Sequence, residues 1–139
     1  LTERAFVGDD PVPLAVLEAL HRRGMGVAVD DFGTGYSSLA YLSRLPVDTM
    51  KIPKQFIDDV TGARDRHALA RAVIELGAAL DLTVVAEGIE TADQVAALRA
   101  FGCEYGQGFY YGLPADAHLA LRRVELLREN PGRPVLRAV

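Results

Sequence analysis

The sequence is poor in cysteine and in long apolar runs. Its one cysteine, Cys103, excludes an internal disulfide framework and indicates a reducing cytoplasm. No apolar run approaches the roughly 20 residues of a membrane-spanning helix, and no basic-then-apolar signal peptide is present. We therefore expect a cytoplasmic chain. Tethering of the parent protein to a membrane through another segment stays open. The start at Leu1 rather than at methionine indicates a piece of something longer.

An excess of positive charge is also missing. Lys and Arg number 15 against 19 Asp and Glu, which gives a net charge of -4. This balance argues against binding of a nucleic acid polymer, which needs a basic surface. A phosphate-bearing ligand would have to be met by a metal ion or by a few local cations. Half of the residues are hydrophobic, so the chain can bury a real core, and its length fits one domain.

A short apolar run that ends in two carboxylates is the most informative feature present. Residues 27–29 suit a buried strand, and Asp30 and Asp31 close it. Burying two like charges is expensive unless something neutralises them, and a hard divalent cation is the simplest candidate. Gly33 and Gly35 would let a ligand approach the loop backbone closely. Taken alone, an Asx-capped turn explains the two aspartates equally well.

Alternating strand and helix patterns fill the rest of the chain. We expect strands at 26–30, 48–52, 82–87 and 104–107, helices at 11–24, 37–44, 65–80, 91–101 and 114–128, and a tail at 130–139. This is about four β-α units, and such alternation implies a parallel sheet with crossover helices. Either a doubly wound sheet or part of a β/α barrel would satisfy it.

Polar residues at the ends of the predicted strands favour the barrel. Five of them close apolar runs on four consecutive strands: Asp30, Asp31, Lys51, Glu87 and Gln107. The carboxyl ends of the strands are where a β/α barrel assembles its active site. Taken singly, the two aspartates would form a turn and Lys51 would be a solvated strand end. Glu87 would pair with an arginine, and Gln107 would be a loop residue. Their joint placement favours a site.

The chemistry of this set is that of a metal-dependent phosphoester hydrolase. Two aspartates and a glutamate are oxygen ligands for Mg²⁺ or Mn²⁺, and shared carboxylates suit a two-metal site. Lys51 would hold the nucleophilic water or stabilise the anionic transition state. Gln107 would orient a ligand or a metal-bound water.

The sequence from Asp30 to Leu39, DDFGTGYSSL, resembles the signature loop of the EAL family, the bacterial cyclic-di-GMP phosphodiesterases. Four other stretches agree in order and spacing: LTE at 1–3, PVDTMKI at 46–52, VAEGIE at 85–90 and GQGF at 106–109. The resemblance covers nearly the whole chain. It implies a TIM-like β/α barrel that binds two Mg²⁺ or Mn²⁺ ions and linearises cyclic-di-GMP to pGpG.

The resemblance also implies roles for individual residues. Asp30 would bridge the two metals, Asp31 would bind one of them, and Glu87 would be a second-metal ligand also proposed as the base. Lys51 would lie beside the nucleophilic water. Gln107 would match a glutamine of the family's last strand, and Glu3 would steady the loop after Asp31. The residues of that loop would bind substrate, shape the loop or form dimer contacts: Phe32, Gly33, Thr34, Gly35, Tyr36 and Ser37.

The departures from the family pattern predict an incomplete domain. The Glu-Ala-Leu motif, a metal-binding asparagine and the glutamate before LTE are absent, and Pro53 stands where the family has aspartate. Residues 1–129 therefore resemble roughly the second half of an EAL barrel, followed by the tail. Two functions stay open: an incomplete phosphodiesterase module, or a degenerate, non-catalytic module that binds cyclic-di-GMP or a protein.

Half a barrel leaves open sheet edges and an uncovered apolar face. We expect this chain alone to form a homodimer, to pair with a missing N-terminal half, or to be partly molten. Light scattering after size-exclusion chromatography, together with urea unfolding, tests this. A monodisperse monomer that unfolds cooperatively would contradict it.

Overall fold

The computed structural model describes residues 11–35, 42–62, 67–129 and 137–138. The helices are α1 (Pro11–His21), α2 (Lys54–Asp58), α3 (Ala68–Ala79), α4 (Ala92–Ala100) and α5 (Ala117–Glu129). The strands are β1 (Ala28–Val29), β2 (Thr49–Ile52), β3 (Thr83–Ala86), β4 (Tyr105–Gly106) and β5 (Arg137–Ala138). Within these ranges no helix has both the length and the apolar character needed to cross a bilayer.

The strands form one five-stranded sheet in the order β1-β2-β3-β4-β5, and every neighbouring pair is parallel. Strand order therefore follows chain order, with a helix in most of the crossovers. The predicted parallel α/β architecture is confirmed. Because all strands point the same way, the residues that follow them gather at one edge of the sheet.

Backbone hydrogen bonds align the carboxyl ends of the strands. Phe32 N donates to Lys51 O at 3.1 Å, Glu87 N to Ile52 O at 2.9 Å and Gln107 N to Ala86 O at 2.8 Å. The residues that leave β1, β3 and β4 are thus fastened to the strand beside them. This ladder sets the spacing of the polar side chains at that edge.

The core lies between the sheet and its helices. In β2 the side chains alternate, with Met50 and Ile52 fully buried and Thr49 and Lys51 partly exposed, as expected for a strand whose two faces differ. Cys103 is buried, and burial raises the pKa of its thiol despite hydrogen bonding to backbone carbonyls.

Several predicted boundaries differ from the structure. The helix predicted at 114–128 begins at Ala117, and α2 was not predicted because a five-residue helix shows too little periodicity. A capping box formed by Thr91 and Gln94 begins α4. Most of the predicted helix at 37–44 lies outside the described residues.

Most of the predicted tail at 130–139 lies outside the described residues. Its described part, Arg137–Ala138, forms β5, which pairs in parallel with β4. The outer edge of β4 offers backbone groups for such pairing.

We expect Gly77→Ala to destabilise the fold. A Cβ at Gly77 would overlap Val84 Cγ2 and lie 2.9 Å from Met50 Cε, because α3 packs tightly on the sheet there. The free energy of unfolding should fall by about 1–3 kcal/mol. Urea denaturation followed by circular dichroism measures it.

The matched control is Glu75→Ala, on the exposed side of the same helix, where Glu75 forms an ion pair with Arg71. It should change stability by less than about 1 kcal/mol. An equal loss in both variants would show that packing at Gly77 is not responsible, because alanine is the best helix former and neither substitution weakens the helix by itself.

Candidate metal and phosphodiesterase site

Lys51 lies at the centre of the polar edge. Its Nζ is 3.0 Å from Asp30 Oδ1 and also forms an ion pair with Glu87 Oε1. The three side chains come from the ends of β2, β1 and β3. Lys51 and Glu87 are mostly buried, whereas Asp30 is 39% exposed. One ammonium thus partly offsets the charge of two carboxylates that the fold brings together.

Gln107 adds a neutral donor to the same carboxylate. Its Nε2 donates to Glu87 Oε1 at 2.7 Å, so that oxygen accepts from both Gln107 and Lys51. The two donors hold this oxygen of Glu87 in place. Neither donor uses Oε2, the second carboxylate oxygen of Glu87.

The acidic residues form a cluster suited to a cation. One carboxylate oxygen from each of Asp30, Asp31 and Glu87 can be chosen so that all lie within 4.8 Å of one another. Asp31 has a left-handed backbone with φ of 56°, which an aspartate tolerates better than most residues, and its side chain is exposed. Three hard oxygen donors fit Mg²⁺, Mn²⁺ or Ca²⁺.

The ion pairs fix the charge state of Lys51. Burial by itself lowers the pKa of Lys51, but the hydrogen bonds and negative charges of Glu87 and Asp30 outweigh it and raise the pKa above the usual lysine value. Lys51 is therefore an ammonium donor at neutral pH.

The glycine loop after Asp31 is only partly in view. Phe32 is 5% exposed, so its side chain belongs to the core rather than to a ligand surface. Gly33 has φ of 89° and lies against the ring of Phe56. Thr34 Oγ1 donates to Asp31 O at 2.9 Å, and Gly35 is exposed. Glu3, Tyr36 and Ser37 lie outside the described residues.

The loop after β3 is held by residues that the sequence did not single out as part of a site. Lys54 Nζ pairs with Asp58 Oδ1 at 2.5 Å and with Glu90 Oε1 at 3.2 Å. The hydrogen bond to Asp58 is the main cause of a raised pKa of Lys54. Gln94, which caps α4, is buried in the same region. The i, i+4 spacing of Lys54 and Asp58 was the one signal for this pair.

Comparison with known proteins identifies the family. The family model of the EAL domain matches residues 1–114. The chain belongs to the EAL domain family. The bifunctional diguanylate cyclase/cyclic di-GMP phosphodiesterase MucR of Pseudomonas aeruginosa is 43% identical over 124 residues, which are 89% of this chain and 18% of MucR.

Solved EAL structures have the same fold. The PaMucR phosphodiesterase in complex with c-di-GMP superposes with a TM-score of 0.80 at 42% identity, over 86% of this chain and 49% of that one. The EAL domain of Mycobacterium smegmatis DcpA gives a TM-score of 0.80 at 38% identity, over 91% and 56%. The prediction of a partial β/α barrel is confirmed, and the chain spans about half of these solved chains.

Lys51→Met should destabilise the metal-free chain, because Asp30 and Glu87 would face each other without a cation. Breaking a partly solvated ion-pair cluster should lower the free energy of unfolding by about 1–2 kcal/mol. Urea denaturation in the presence of a chelator measures it. Lys54→Met removes the same charge from an exposed position and should cost much less. Equal losses would contradict a central role for Lys51.

Proposed function

We propose that this chain is the C-terminal part of an EAL-type phosphodiesterase module that hydrolyses cyclic-di-GMP to pGpG with Mg²⁺ or Mn²⁺. The observation that carries the proposal is the convergence of Asp30, Asp31 and Glu87 around Lys51. Relatives named as cyclic di-GMP phosphodiesterases support the substrate. The activity would belong to the complete domain, since this chain covers a minor part of those relatives.

In this proposal the carboxylates of Asp30, Asp31 and Glu87 hold the cations. A divalent ion bound there would activate water and neutralise charge on the phosphate. Lys51 stays protonated and donates a hydrogen bond to the negative charge that develops in the transition state. Gln107 holds one oxygen of Glu87, so that the carboxylate keeps one orientation throughout.

The chain's macromolecular partner would be the N-terminal half of the domain or a second copy. In the described part of the chain, the outer edges of β1 and β5 pair with no further strand, and open edges favour pairing. Large apolar side chains are also exposed after β4 and on α5: Phe109, Leu113, Leu119 and Leu121. A nucleic acid polymer is not a proposed partner, because the net charge is negative.

One observation favours the second candidate function, a non-catalytic module that binds cyclic-di-GMP or a protein. Pro53, the N-cap residue before α2, has an extended backbone and supplies no carboxylate near Lys51. A site that lacks this group could bind the nucleotide without cleaving it. The same experiment separates the two candidates.

The test is calorimetric titration of the chain with Mn²⁺ and then with cyclic-di-GMP, followed by chromatography of the nucleotide. We expect Mn²⁺ to bind and to be required for nucleotide binding. Asp31→Asn should weaken Mn²⁺ binding by roughly tenfold or more, since it removes one of three anionic ligands. Formation of pGpG that is lost in Asp30→Asn supports the enzyme; binding without product supports the non-catalytic module.

Asp81→Asn is the matched control. Asp81 is exposed like Asp31 and shares its left-handed backbone, with φ of 58° against 56°, but it precedes β3 at the opposite end of the sheet. The control should bind Mn²⁺ as the wild type does. Equal weakening in both variants, or no Mn²⁺ binding by the wild-type chain, would contradict the proposed metal site.

A further inference from the structure

Gln94 is a buried polar side chain whose hydrogen bonds join two different connections of the barrel. It is 6% exposed. Its Oε1 accepts from Glu90 N at 2.8 Å and from Thr91 N at 3.0 Å, while its Nε2 donates to Ile57 O at 3.3 Å. Both ends of the amide are therefore used.

The helix cap explains only half of this arrangement. A capping box needs an acceptor three residues after the cap, and glutamate or glutamine serves equally. The bond from Nε2 to Ile57 O crosses 37 residues of sequence to reach α2. Only glutamine, with a donor as well as an acceptor, can make both contacts.

Gln94 joins two chain segments that follow closely after Lys51 and Glu87, which form an ion pair in the candidate site. Ile57 lies in α2, which starts two residues after β2, the strand of Lys51. Glu90 and Thr91 follow Glu87 in the loop between β3 and α4. A displacement of this loop from α2 would therefore change the distance between Lys51 and Glu87.

Lys54 makes a second, exposed tie between the same connections. A Cβ at Gly88 would lie 2.6 Å from Lys54 Cβ and Cγ, so the lysine stem covers the residue next to Glu87. Its Nζ bridges Asp58 in α2 and Glu90 in the loop. Exposed ion pairs contribute little to stability, so the buried tie through Gln94 is the stronger of the two.

We propose that Gln94 is a positioning residue that fixes Glu87 against Lys51 and Gln107. It acts through the backbone of the β3–α4 loop and touches none of the reacting groups. Its effect on cation binding rests on the proposed metal function. Its effect on the position of Glu87 is independent of that function, because the hydrogen bond from Gln107 to Glu87 reports this position without a metal ion.

The experiment compares three variants of the full chain. Gln94→Met removes both contacts at similar volume, and Gln94→Glu keeps the capping acceptor but loses the donor to Ile57 O. Thr91→Ala is the control, since it removes the hydroxyl that accepts from Gln94 N at 3.2 Å and leaves the tie to α2 in place. Far-UV circular dichroism establishes which variants are folded.

The metal-free readout is the NMR signal of the Gln107 side-chain amide that donates to Glu87. We expect this proton to move upfield in both Gln94 variants, because the hydrogen bond lengthens, and to stay in place in Thr91→Ala. General destabilisation of α4 would move it in all three. An unchanged signal in every folded Gln94 variant would overturn the proposal, as would complete unfolding of both Gln94 variants, which would assign Gln94 to folding as a whole.

Mn²⁺ titration of the same samples is the second readout. Both Gln94 variants should bind Mn²⁺ roughly tenfold more weakly than the wild type, as do other variants in residues that orient a metal ligand, whereas Thr91→Ala should stay within about twofold of it. If the wild type binds no Mn²⁺, the proposed function fails while the NMR result still decides the role of Gln94. Wild-type Mn²⁺ affinity in folded Gln94 variants would overturn the inference.

Discussion

The placement of one ammonium between two carboxylates is the constraint on which this edge of the sheet depends. Lys51 reaches Asp30 and Glu87 from the strand between theirs. Without it, parallel pairing would bring two anions together in a partly desolvated place, at a high electrostatic cost. The same pairing brings together the carboxylates of the proposed cation site, so the fold and the proposed chemistry depend on one set of charges.

The same ion pairs affect how tightly the proposed site would bind a metal ion. The acidic cluster is already partly neutralised by the protein, so a cation would meet a site whose carboxylates are held in place and whose net charge is reduced. Preformed geometry favours binding, while the positive charge of Lys51 opposes it. Affinity for a cation would reflect the balance of these two effects.

The sequence predicted the site better than its supports. A polar residue that ends an apolar run is a local pattern, so Asp30, Lys51 and Glu87 were found from the sequence and lie together in the structure. The bond from Gln94 to α2 joins residues 37 apart, and no local pattern shows such a pair. Phe32 falls in a glycine-rich loop yet is buried, because a neighbouring core decides its position.

The alternation along β2 links the site to the core in another way. Lys51 lies between Met50 and Ile52, both fully buried on the opposite side of the strand. A shift of this strand by one residue would exchange the two faces, so it would bury the ammonium and expose both apolar side chains. Misfolded forms with a slipped β2 are therefore penalised twice. The lysine of the proposed site thus also favours the native register of β2.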